Sequence, residues 1–507
     1  MCFSERRGRL RRRWRGLAGP GLVGAVAAAV WILGAGAPAS AAPLDEPFVG
    51  GLSFDGPTSP NLGAVYWNPA ALGLVRGFQL MVAASARLST VEVNRAPIGP
   101  TGAPGGTMTF PTARAHDLAW PSLGPRSYLA LSTDFGGDRF TIAFATYMPY
   151  LQQISFPLSP KGDEPTRYHM LTLDLRNLVL VPALSIRFGG DFRIGFAPGF
   201  MFSTGRLSFA EDLGLNAGLP AEDPQNAAGY DISSGNGLGD AKFSVTLGAG
   251  LYYRRRSFEL GVAYQSRPLG SDVPGVEVAG QHTQVTLPPA DQMGGGGVLT
   301  CPNQQSNRCV FGDISYRLPD VWIGGATWRL GPGVELSAMV RWIWLHVHDR
   351  IDVRLSGPTL DEHNLPQHVV LYRGFKDVWD TRLRVSYWWR ERIRVGAMLR
   401  LETSAVDENG VNAAAVDGFK VEPVGLIEFR VIRQLWLGGG YGVTFMRAVD
   451  VTNSAFEPTA ATACTASGNN LTTEACQLRM AGRARPTAAG HYTAQTQDFG
   501  VTLTLKF

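Results

Sequence analysis

Five apolar side chains alternate with small or polar ones along the last nine residues: Phe499, Val501, Leu503, Leu505 and Phe507 against Gly500, Thr502, Thr504 and Lys506. In an extended chain, successive side chains point to opposite faces, so this run predicts a strand that is greasy on one side only. An ordinary sandwich strand is one way to use such a pattern. A barrel in an outer membrane is the other: apolar residues meet lipid, polar ones meet the lumen, and both chain ends lie on the periplasmic side. The rest of the chain decides between them.

The alternation recurs. Phe140, Ile142 and Phe144 share a face, as do Phe243, Val245, Leu247, Ala249 and Leu251, and then Phe258, Leu260, Val262 and Tyr264. Further runs place Val334 to Trp344, Ile393 to Leu401, and Leu435 to Phe445 in the same way. Short turn signals separate such runs at Gly136-Gly-Asp138, Gly189-Gly-Asp191, Arg254-Arg-Arg256, Gly331-Pro-Gly333, Arg390-Glu-Arg392 and Arg433-Gln434. Longer polar segments lie between, at about 94–126, 150–168, 210–238, 269–310, 356–375, 404–419 and 450–490. Six turns and seven loops predict an all-β, antiparallel up-and-down barrel of about fourteen strands, with every long loop on the outer face. Pro182 and Pro198 interrupt two runs and predict bulges or kinks there.

The N-terminus reads as an export signal. Arg6, Arg7, Arg9, Arg11, Arg12, Arg13 and Arg15 precede an apolar stretch from Leu17 to Ala37, and small residues follow to Ala42. Six glycines and prolines between Gly19 and Gly36 make it a poor permanent helix. Residues 1–42 are thus expected to be removed, taking seven arginines and one glutamate, so the formal charge of +4 becomes −2. Nothing in that charge suggests a nucleic-acid partner, and none is expected. Four cysteines follow the signal, and Cys301 with Cys309, and Cys464 with Cys476, are expected to form two local disulfides in an oxidising compartment. Neither pair has the spacing of a zinc site, and no metal or cofactor is expected.

Between the signal and the first alternating run, residues 43–76 are rich in Gly, Pro, Asn and Ser. Asn68 is placed to cap a one-turn helix with Pro69 at its first position and Gly73 past its end. Val65, Tyr66, Trp67, Ala70, Ala71 and Leu72 are too apolar for a solvated tail. A barrel lumen would bury them.

Tyr66-Trp-Asn-Pro-Ala-Ala-Leu72 resembles the N-terminal plug of the FadL-type outer-membrane transporters of long-chain fatty acids and other hydrophobic compounds. Phe140–Tyr150 resembles that family's kinked third strand, Leu260–Ser266 its "G-x-x-Tyr-x-Ser" strand, Arg317–Gly325 its "Leu-Pro-Asp" strand opening, and Lys376–Tyr387 its "Lys-Asp-x-Trp" strand. The resemblance implies a plug at 43–76, with Trp67, Asn68, Pro69 and Ala70 at its centre, inside a barrel made by residues 77–507. It also implies a kink at Met148, Pro149 and Tyr150 beside which an apolar ligand leaves sideways. The stretch Met148-Pro-Tyr150 departs from the family's usual aromatic and then Gly after the Pro, which affects the shape of that exit.

Alternation places Met339, Arg341 and Ile343 inward if Trp342 faces lipid, along with Arg382, Arg384, Arg394, Met398, Arg400 and Met446. These side chains could line a ligand site, the arginines holding a carboxylate. Alternatively the arginines pair with Glu402, Glu428 or Asp55, as lumenal charges generally must. His346 and His348 are expected to share a strand face near His363 and His368. No catalytic triad or carboxylate pair is evident, so no enzyme is expected. The expectation is a monomeric passive transporter of hydrophobic small molecules in the bacterial outer membrane, in contact with lipid and lipopolysaccharide. It would be inserted by the barrel assembly machinery through its C-terminal strand. A general porin and a structural or adhesive barrel are the alternatives.

Overall fold

The structure, a computed structural model, describes residue 52 and residues 54–507 apart from 120–126, 159–163, 235–240, 270–275, 281, 289–296, 301–309, 332, 358–359 and 361–364. The export signal and the Cys301–Cys309 pair therefore lie outside the described residues. Cys464 and Cys476 are joined in a disulfide, as expected, and link the short helices Ala460–Ala466 (α1) and Glu474–Met480 (α2).

Fourteen antiparallel strands close into a ring. In chain order they are Gln79–Arg95 (β1), Ala113–Ala119 with Ser127–Thr133 (β2), Phe140–Tyr147 with Gln152–Ser155 (β3), Thr172–Phe188 (β4), Phe192–Asp212 (β5), Lys242–Arg255 (β6) and Phe258–Gln265 (β7). Val321–Arg329 (β8), Val334–Ile343 (β9), Val378–Trp389 (β10), Ile393–Glu402 (β11), Lys420–Arg430 (β12), Leu435–Met446 (β13) and Gly490–Lys506 (β14) follow. Each pairs with its sequence neighbour, and β14 pairs with β1 from Gln79↔Lys506 to Arg95↔Gly490. Arg87 and Asp498 are partners in this closing ladder and form a buried ion pair at 2.6 Å.

The outward face is apolar. Phe144, Phe196, Leu247, Leu260, Trp322, Leu383, Val395, Tyr441 and Val501 are all exposed, while the residues between them are mostly buried. A belt of this kind running round the ring has no place in water and matches a bilayer. No helix among the described residues is long and apolar enough to cross a membrane. The six short turns all fall where the sequence places them, and Arg256, Arg390 and Glu391 adopt positive φ there without being glycine.

Three details differ from expectation. Pro182 and Pro198 cause no bulge: the β4–β5 ladder lapses at residues 181–183, but its register is the same on either side, Leu180↔Phe200 and Leu184↔Phe196, which sets the two prolines opposite each other. The first long loop is shorter than predicted, because Ala113–Ala119 pairs with β1. His346 and His348 do not share a strand face. They lie in the 3-10 turn Leu345–His348, with His346 exposed and His348 buried.

Above the ring, the outer loops build a cap. Val276–Gly280, Phe311–Tyr316, Arg350–Ser356 and His368–Tyr372 form a second antiparallel sheet in that order.

Candidate functional site

Residues 54–76 touch strands all round the ring, which is possible only from inside. Tyr128 on β2 donates to the Leu62 carbonyl (2.8 Å), Ser185 on β4 to Ala70 (2.9 Å) and Arg384 on β10 to Asp55 (2.7 Å). Thr58 meets Thr327 on β8 at 2.8 Å. The segment folds as its sequence suggests. Ala64–Trp67 makes one helical turn and Pro69–Leu74 a 3-10 helix. Asn68 caps the second, its Oδ1 accepting from the Ala70 N–H at 3.0 Å. Gly73 falls inside that helix rather than past its end. The Asn68 amide also donates to the carbonyls of Pro57 (2.8 Å) and Leu251 on β6 (3.0 Å), so one buried side chain ties the segment to itself and to the wall.

The wall is bare where this happens. A Cβ at Gly195 would overlap the backbone of Pro69 and Ala70, one at Gly250 would overlap Asn68 Oδ1, and one at Gly261 the Pro57 carbonyl. Gly195 and Gly250 are cross-strand partners on β5 and β6, and Gly261 lies on β7.

On the far side, the inward arginines sit where alternation places them: Arg341, Arg382, Arg384, Arg394 and Arg400 are buried, as are Met339 and Ile343, with Met398 half-buried. Their partners are largely acidic. Asp380 receives Arg382 (2.9 Å), Arg400 (3.1 Å) and Arg341 (3.7 Å); Arg400 also meets Glu422 (3.3 Å) and Glu402. Arg394 binds Glu335 at 2.5 Å. Pairing is thus the arrangement of these arginines, with Asp380 as a hub absent from the sequence reading. It could have been found: Asp380, Arg382 and Arg384 have the same parity on one strand. Asp55 contributes its carbonyl, not its carboxylate, to Arg384. The guanidinium faces hold aromatic rings of the lumenal segment. Arg382 and Arg341 lie 4.9 and 5.4 Å from the Trp67 ring, and Arg394 and Arg384 lie 4.3 and 6.0 Å from that of Phe54.

Trp67 also begins an aromatic row. Its ring meets Tyr66 edge-on (4.9 Å), Tyr66 meets Tyr147 (5.2 Å), and Tyr147 stacks on Tyr128 (5.6 Å). The row leads to the break in β3. Tyr147 and Gln152 are five residues apart, but their β4 partners Val179 and Leu175 are four apart, so one extra residue is accommodated in Met148–Leu151. Tyr150 there has φ +59°. On β2, Ala119 and Ser127 are eight residues apart where their β1 partners Arg87 and Ala84 are three apart. Among the described residues, β2 and β3 pair only in their periplasmic halves, from Leu129↔Thr146 to Thr133↔Ile142.

A cavity of about 30 Å³ lies between the break and the lumenal segment. Val65, Tyr66 and Pro69 form one side, Tyr147, Pro149 and Tyr150 another, and Val179, Val181, Met201 and Ala263 on β4, β5 and β7 the back. No lining residue carries a formal charge. Alternation along the sequence places the candidate ligand-lining side chains Met339, Arg341, Ile343, Arg382, Arg384, Met398 and Arg400 on the opposite wall. The cavity's back wall consists of apolar residues on three different strands, which no local pattern singles out.

A family described as "Outer membrane protein transport protein (OMPP1/FadL/TodX)" matches residues 37–418. No curated protein matches at a significant level. Among solved structures, a Pseudomonas aeruginosa FadL homologue is similar with TM-score 0.65 and 14% identity, covering 92% of this chain and 98% of that one. The Pseudomonas putida toluene transporter TodX gives 0.57 and 12%, covering 88% and 93%. The Ralstonia pickettii toluene transporter TbuX gives 0.55 and 10%, covering 91% and 97%. At such identities the structures speak to fold alone. The family match covers most of the chain, and with the closed fourteen-stranded barrel it assigns this protein to the FadL/TodX family of outer-membrane transporters of hydrophobic compounds.

Proposed function

We propose that this chain passes uncharged or weakly polar hydrophobic molecules across the outer membrane, with residues 43–76 as its plug and the β3 break as its sideways exit. The cavity between plug and break carries this reading. It is apolar and tyrosine-rich, it adjoins Pro149 and Tyr150, and it lies where the β2–β3 ladder is incomplete. A molecule moving from there into lipid stays out of water throughout, so each buried methylene keeps about 0.8 kcal/mol of transfer free energy and no energy source is needed. Long-chain fatty acids belong to the class in their protonated form. The uncharged lining and the acid-paired arginines across the lumen favour a neutral cargo over an ionised carboxylate. The toluene transport named for TodX and TbuX is a precedent in the same fold.

A strain lacking the protein, with and without complementation, tests this by uptake of labelled toluene, oleate and a small sugar. Loss of toluene uptake with sugar flux intact is expected, with oleate less affected. Equal loss of all three would point to a general porin instead.

A further inference from the structure

Asn177 on β4 is fully buried and directs its amide at three elements. Its Nδ2 donates to the Tyr150 carbonyl in the β3 break (3.2 Å). Its Oδ1 accepts from Ser203 on β5 (2.7 Å) and from the Tyr316 hydroxyl (3.1 Å). Tyr316 ends a strand of the outer cap, and its ring meets His348 edge-on at 5.8 Å. His348 Nδ1 lies 2.5 Å from the Arg317 carbonyl, so it carries the ring proton and Nε2 accepts from Arg373 (3.0 Å). Burial and the Arg373 charge hold His348 down at about 3, which keeps it neutral. Arg373 also donates to Ala414 O (2.8 Å) and to Gln152 Oε1 (2.6 Å). Gln152 is the first residue of β3 beyond the break. Both shoulders of the break are therefore fastened to the cap, one through Asn177 and one through Arg373.

The break needs such support. It carries an extra residue, a positive φ at a tyrosine and an incomplete ladder towards β2, so its own backbone bonds hold it weakly. We propose that Asn177 is the positioning residue of a latch joining the β3 break to the outer cap, and that withdrawal of Tyr316 by cap movement loosens the wall beside Tyr150. Arrival of cargo at the cap would thereby be coupled to its way out. This coupling rests on reading the break as the exit, but the test does not depend on transport.

The full-length protein in liposomes, with a thiol probe from Met148→Cys, is labelled by a membrane-permeant maleimide, against the same protein without the added thiol. Tyr316→Phe removes the cap-side hydroxyl that meets Asn177 and Ser203 and leaves the Asn177 bond to Tyr150 in place. Asn177→Asp keeps the acceptor for Ser203 and Tyr316 but loses the donor to Tyr150. Each is expected to raise Met148→Cys labelling on the order of fivefold, the effect of one ordinary hydrogen bond on a two-state equilibrium. A lipid-facing control thiol from Ala397→Cys should be unaffected. No rise at the break in Tyr316→Phe, or an equal rise at both thiols, overturns the latch. If Asn177→Asp fails to assemble, Tyr316→Phe alone decides. A rise confined to the break in a protein whose deletion leaves hydrophobic uptake intact would keep the latch and reject the transport reading.

Discussion

Gly195 and Gly250 face each other across the β5–β6 ladder and leave a bare patch of wall on which Asn68, Pro69 and Ala70 rest. The helix cap and the wall contact of the lumenal segment are thus made by the same side chain. Gly250→Leu is expected to displace Asn68, costing its cap, about 1 kcal/mol, and its bond to Leu251. The barrel should still assemble. Influx of a small hydrophilic solute into liposomes should rise severalfold, and residues 54–76 should become sensitive to protease.

Asp380 is the anion that three buried arginines share. Asp380→Ala leaves their charges facing one another, with an expected cost of about 3 kcal/mol or more. A lowered temperature for conversion of the compact barrel to its unfolded form on a gel checks this. An unchanged temperature would mean that Glu402 and Glu422 suffice.

The Asp55 carboxyl is buried within the lumenal segment, and loss of water raises it to about 7 despite the Asn61 bond and the nearby Arg384. A carboxyl raised on burial contributes its stability below its unfolded value near 4, and loses it as pH climbs to about 7. The segment should therefore be seated most firmly below pH 4, loosen between about 4 and 7, and change no further above that. Conductance in planar bilayers across this range should rise accordingly, and Asp55→Asn should flatten the profile.

Ala263 lies at the back of the cavity, and its side chain is buried. Ala263→Phe fills that space at a strain of about 1–3 kcal/mol. Toluene uptake is expected to fall by about tenfold with barrel assembly intact. Undiminished uptake would move the route elsewhere in the lumen.

The Cys464–Cys476 bridge closes a loop of α1 and α2 on the outer face, remote from the cavity. Reduction should expose residues 460–480 to protease while hydrophobic uptake stays within a factor of about two, since the bridge constrains a local loop only. Loss of uptake on reduction would instead make this loop part of the route.

Much of this architecture could be read along the chain. Phe499 to Phe507, and the runs at Phe140, Phe258 and Ile393, alternate because bilayer and lumen impose opposite demands on neighbouring residues. The outer half of β2, Ala113–Ala119, carries no strand signal because its sequence, Ala-Arg-Ala-His-Asp-Leu-Ala, lacks a large apolar face. Arg341, Arg382, Arg384, Arg394 and Arg400 could be placed inward by parity alone. Their engagement with Asp380, and with the rings of Phe54 and Trp67, could not.

Strand parity, turn chemistry and the Asn68 cap are local: each depends on a few adjacent residues and on the medium either side, so the sequence determines them by itself. Which residues meet across the lumen depends on ring closure, on the register of every ladder, and on where an extra residue in β3 is taken up. Asn177 beside Tyr150, Asn68 on the Gly195–Gly250 patch and the apolar cavity between them arise only when distant strands are brought together. Tertiary structure decided those, because contact in a closed barrel is a property of all fourteen strands at once.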